Sequence, residues 1–108
     1  MKRILLTPYP GVVHVTRTRA DYQRTYRKLT GLRVDDDLPA STTGRTLPLA
    51  RKGYADQYLV FAGDTGTLVH ELAHVVLKLF DAIGVDPRDA GGEPFCYMLD
   101  HLLDEARA

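Results

Sequence analysis

The chain has 108 residues, the length of one domain spanning 1–108 with a single modest core. Its 14 basic side chains balance 14 acidic ones, so no net field draws it to nucleic acid or to an anionic membrane. With one cysteine, Cys96, it forms no intrachain disulfide, which fits a reducing compartment. Met1-Lys2-Arg3 is basic, but Ile4-Leu5-Leu6 is too short for the apolar region of a signal and runs into Pro8 and Pro10. The longest mainly apolar stretch, 68–84, is interrupted by His70, Glu71, His74, Lys78 and Asp81, which excludes it as a membrane span. The expected location is cytoplasmic.

Residues 3–7 and 11–16 read as strands, because β-branched residues cluster there and Tyr-Pro-Gly breaks them. Ala20 to Leu32 reads as an amphipathic helix: Tyr22, Tyr26 and Leu29 recur at i, i+4, i+7, and Gly31 suits a C-cap. Residues 33–44 form a loop in which Asp35-Asp36-Asp37 reads as a solvated acidic run, since three adjacent carboxylates lack the spacing of a calcium loop. Two strands follow, 45–51 and 56–62, joined near Lys52-Gly53. Asp64 or Thr65 caps a helix that runs to about Ile83 and stops at Gly84, with Pro87 beyond. A last helix opens at Gly91-Gly92-Glu93-Pro94 and runs toward Ala106. The layout predicts an α+β fold: a short mixed sheet, an N-terminal helix, a buried helix and a C-terminal helix. Arg17, Arg19, Arg24, Arg27 and Lys28 make a local basic patch, which reads as a solvated helix face rather than a nucleic-acid site.

The buried helix carries His70-Glu71-Leu72-Ala73-His74. Residues four apart on a helix share a face, with Cβ atoms about 5–6 Å apart. Two imidazoles so placed can point a ring nitrogen each at one zinc ion. Glu71 projects about 100° around the axis from His70, beside such an ion rather than onto it, where a general base belongs. Leu68, Val69, Leu72, Ala73, Val75, Val76, Leu79 and Phe80 cover most of the circumference, which puts the helix in the core. The remaining polar residues, His70, Glu71, His74, Lys78 and Asp81, form one stripe. The alternative is an ordinary helix whose histidines bond to backbone, which gives Glu71 no reason to stand between them.

Catalytic zinc usually takes a third protein ligand. Asp81 lies two turns past His74, too far along the axis. Glu93 opens the last helix where the chain can fold back on the first, and a short connection packs the two antiparallel. On that helix Glu93, Tyr97, Asp100 and Asp104 form a polar stripe opposite Phe95, Met98, Leu99 and Leu102. Facing the stripe of the HELAH helix, it would close a site. Glu93 is the expected ligand, with Asp100 or His101 next; a helix-capping role is its alternative. Tyr97 either donates its hydroxyl to a substrate oxyanion or simply packs. Cys96 is expected to face the core, and His14 to be a packed or surface histidine.

These residues resemble the gluzincin type of zinc metallopeptidase, which pairs a helical HExxH with a glutamate ligand on a following helix. Eighteen residues separate His74 from Glu93, close to the spacing in thermolysin-like enzymes. More narrowly, Gly66 to Val76, a turn at Gly84, then Glu93 and Tyr97 resemble small zincin-like proteins of bacteriophages and prophages. The likeness covers about residues 58–103. It implies a minimal zincin-like domain, with His70, His74 and Glu93 as zinc ligands and Glu71 as base. It departs from thermolysin-like enzymes in size, with no second lobe to form a deep cleft.

Two functions are consistent with these residues. One is a zinc-dependent metallopeptidase-like protein, in which zinc activates water and Glu71 takes its proton. Its partner would be a peptide or protein substrate paired to an exposed strand, expected to be 56–62. The other is a catalytically silent, zinc-stabilised binding or assembly protein. Glu71 discriminates, because a structural site has no use for an unliganded carboxylate beside its metal.

Overall fold

A computed structural model describes residues 1–35, 38–51 and 54–108. The elements run β1 (Lys2–Leu5), β2 (Val12–Thr16), α1 (Arg19–Thr30), β3 (Gly44–Arg51), β4 (Tyr54–Ala62), α2 (Thr65–Ile83) and α3 (Glu93–Arg107), with a short 3-10 turn at Asp89–Gly92 before α3. The fold is α+β, as the order of elements predicts. Four strands form one mixed sheet in the order β1-β2-β4-β3. β1 and β3 lie antiparallel to their neighbours, and β2 and β4 pair in parallel. The turn joining β3 to β4, expected at Lys52-Gly53, lies outside the described residues. No helix among the described residues is long and apolar enough to cross a membrane.

Alternation along each strand divides the core in two. Val13 and Val15 of β2, and Tyr58, Val60 and Ala62 of β4, face α2 and α3 in the larger cluster. Leu59 and Phe61 turn the other way and pack with Tyr22 of α1, Leu38 and the partly buried Leu47. β4 is therefore covered on both faces, with Tyr58 to Ala62 all buried. This corrects the expectation that 56–62 is the exposed strand. An unbroken apolar run marks a strand buried on both sides, and the edge falls to β3. Pro48 lies within β3, tolerable at an edge because proline offers no N–H to a ladder, and the register shifts between Leu49 and Ala50.

The Asp35 side of the acidic run is also corrected. Asp35 is only 6% exposed. Its carboxylate accepts a hydrogen bond from the Tyr22 hydroxyl and lies 3.0 Å from Arg45 Nε. Its backbone N–H donates to Gln23 Oε1 at 2.7 Å. A buried carboxylate held by one hydroxyl donor and one guanidinium ion pair ties α1 to β3 rather than meeting water. Asp36 and Asp37 lie outside the described residues. Burial above all, then the Asp35 carboxylate, hold the Tyr22 hydroxyl well above its ordinary value of 10.0. A raised folded-state value means that the unfolded chain ionises first. The contribution to stability is thus complete below about pH 10 and is lost as pH rises beyond it. Denaturation midpoints followed upward from about pH 8 are expected to fall above pH ~10 in the wild type, and to fall less steeply in Tyr22→Phe.

Candidate metal centre

α2 forms where the sequence puts both its signals. Asp64 is the N-cap, accepting from Thr67 N–H at 2.8 Å, and that bond holds its carboxyl below the usual aspartate range. Gly84 closes the helix at φ 76°, a left-handed conformation that costs glycine nothing. Leu68, Leu72, Val75, Val76, Leu79 and Phe80 are buried against the sheet and α3. That orientation turns His70 and His74 outward.

The histidine rings meet edge to face with centroids 4.8 Å apart. Their Nε2 atoms are 3.2 Å apart. Two nitrogens bound to one tetrahedral zinc at about 2.0–2.1 Å would lie about 3.3–3.4 Å apart. The pair therefore fits one ion, and both rings offer the same nitrogen. The His70 side chain is 67% exposed; holding two such rings together costs side-chain entropy that a shared cation would repay.

Glu71 behaves differently from its neighbours. It is 7% exposed, although the sequence places it in the same polar stripe. β3 accounts for this. Positions 44 and 46 face α2, opposite Ala62 and Val60 of the core face. Thr46 Oγ1 lies 2.7 Å from Glu71 Oε1 and 3.0 Å from Glu71 backbone O, and donates to them. The other carboxylate oxygen, Oε2, lies 4.0 Å from His70 Nε2. Gly44 makes the close approach possible. A Cβ there would stand 2.3 Å from Thr67 Cγ2 and 2.9 Å from Glu71 Oε2. Gly44→Ala is therefore expected to destabilise by about 1–3 kcal/mol as an overpacked site, visible as a melting temperature lower by several degrees.

An open cleft of about 600 Å³ adjoins these groups, lined by Ser41, Thr42, Thr43 and Gly44 on one side and Gly66, Thr67, His70 and Glu71 on the other. Arg19 braces its loop wall. Its guanidinium donates to the carbonyls of Leu38, Pro39 and Thr42 and stands 5.8 Å from the Phe61 ring centre.

The structure does not bring Glu93 to the histidines. Among the described residues, no three His, Cys, Asp or Glu side chains form a group able to hold one ion. Phe80 and Phe95 pack with ring centres 6.4 Å apart, which fixes how α2 and α3 align. Phe80 lies six positions past His74, about 9 Å along the helix, so the start of α3 lies well beyond the histidines. The polar stripe of α3 also faces away. Met98 and Leu102 are buried, whereas Glu93, Tyr97, Asp100 and Asp104 are exposed, Tyr97 by 69%. Stripe does not face stripe, and Tyr97 is not among the residues lining the cleft. His101 sits with Arg3, Leu5 and Glu105 beside β1, the sheet edge opposite β3. Cys96 is exposed rather than in the core.

His14 is a packed histidine, 6% exposed, with Nε2 2.6 Å from Gln57 Oε1. The basic patch is partly engaged in structure: Arg17 Nε donates to Ala62 O at 2.8 Å, and Arg24 pairs with Asp21 at 2.8 Å. Sequence reasoning missed Thr46 and Gly44. Their one signal is the period of two that puts both on the face of β3 toward α2. Comparison of the chain with protein-family models, with curated proteins and with solved structures found no match.

Proposed function

We propose that the chain is a zinc-dependent, metallopeptidase-like hydrolase of zincin-like build, acting on peptide bonds. The observation that carries this reading is the pair of Nε2 atoms 3.2 Å apart with the Glu71 carboxylate oxygen Oε2 4.0 Å from that of His70. His70 and His74 would hold the ion. When bound, zinc supplies Lewis-acid activation of a carbonyl and of water. Glu71 takes the proton from the attacking water through Oε2 and passes it to the nitrogen of the leaving amine as the C–N bond breaks. β3, with one free edge, offers ladder groups to an extended peptide beside the cleft.

A zinc-held binding protein without turnover is the second reading, favoured by the two-histidine set among the described residues. In such a site Glu71 would be tied to a cation. Its hydrogen-bond partner is instead the neutral hydroxyl of Thr46, which supports the hydrolase. The experiment is incubation of zinc-loaded protein with a mixture of unstructured peptides. Cleavage that stops on chelation and returns with zinc is expected. Full zinc content with every peptide intact would favour the scaffold.

A further inference from the structure

We infer that Thr46 is a positioning residue for Glu71, so that the edge strand itself orients the general base. The inference rests on the hydrolase reading for its catalytic meaning. The geometry behind it belongs to the chain alone.

A glutamate on a helix surface has three side-chain torsions to fix, and a base must present one oxygen in one direction. Here the two oxygens are made unequal. Oε1 lies 2.7 Å from the Thr46 hydroxyl. Oε2 occupies the space that a Cβ at position 44 would invade, since the built atom would stand 2.9 Å from it. It lies on the His70 side, 4.0 Å from Nε2, and Gly44, His70 and Glu71 all line the same cleft. Pinning Oε1 leaves Oε2 as the oxygen able to accept a proton from a molecule in the cleft. Thr46 and Gly44 lie two residues apart on one face of β3, so a single strand supplies both the pin and the space. The free edge of the same strand is the one available to an extended peptide, and a shift of β3 would therefore move the base with it.

Thr46→Val keeps the shape and removes the donor; Thr46→Ser keeps the donor. In peptide cleavage by zinc-loaded protein, Thr46→Val is expected to lower kcat on the order of tenfold to a hundredfold, the usual scale for a misplaced catalytic group. KM and zinc content stay unchanged, and Thr46→Ser restores most of the rate. Equal losses in both variants, or none in Thr46→Val, would overturn the inference. A second readout needs no activity. In crystal structures of the metal-free variants, the Glu71 carboxylate is expected to leave its wild-type position in Thr46→Val and to keep it in Thr46→Ser. A carboxylate that stays in place in Thr46→Val overturns the inference even if the wild type cleaves peptides. A wild type that cleaves nothing counts against the hydrolase reading, while the crystal comparison still decides the role of Thr46.

Discussion

Glu71→Gln is expected to leave zinc content and melting temperature nearly unchanged while peptide hydrolysis falls by a factor on the order of 10² or more. The amide has the volume of the carboxylate, and its carbonyl oxygen still accepts from Thr46 Oγ1, so the 2.7 Å contact survives. What it cannot do is take a proton. A core role for Glu71 would give the reverse pattern. The residue is only 7% exposed, and if it served packing alone, the substitution would alter stability with no separate effect on rate. Zinc analysis, a thermal melt and a cleavage assay on the same preparation distinguish the two.

His70→Ala and His74→Ala are each expected to remove most of the bound zinc, because one imidazole alone cannot chelate. Neither side chain is buried, so the metal-free variants are expected to melt within about 0.5 kcal/mol of the metal-free wild type, the usual range for surface positions. Asp81→Ala is the control. It shares the outward face of α2 but lies about 10 Å further along the axis, and its zinc content is expected to match the wild type. Equilibrium dialysis followed by elemental analysis reads all three. Zinc retained at full occupancy in both histidine variants would contradict the site.

α2 was legible in the sequence almost to the residue, because its cap, apolar faces and terminal glycine are all local signals: Asp64, the 3.6-residue repeat, and Gly84 at φ 76°. The i, i+4 spacing of His70 and His74 is likewise a property of the helix itself. What failed was non-local. The direction in which the α3 stripe points depends on which of its faces meets α2, and the apolar side, Met98 and Leu102, takes that contact. Glu93, Tyr97, Asp100 and Asp104 therefore point to solvent. The rank of β4 in the sheet was also hidden, since Tyr58 to Phe61 can be read as a strand without saying how many faces it buries. Asp35 looked solvated beside two further aspartates, yet its partners, Tyr22 and Arg45, come from elements distant in the chain. Glu71 is buried where His70 and His74 are exposed, and the reason for its burial, Thr46, lies twenty-five residues upstream.

If the outward pair on α2 holds zinc, elemental analysis of wild-type protein purified without added metal is expected to give close to one zinc per chain, removable by chelator and restored by zinc salts alone. A chain that emerges metal-free and takes up no zinc on titration at neutral pH would contradict zinc binding by the pair, and the hydrolase reading would fall with it.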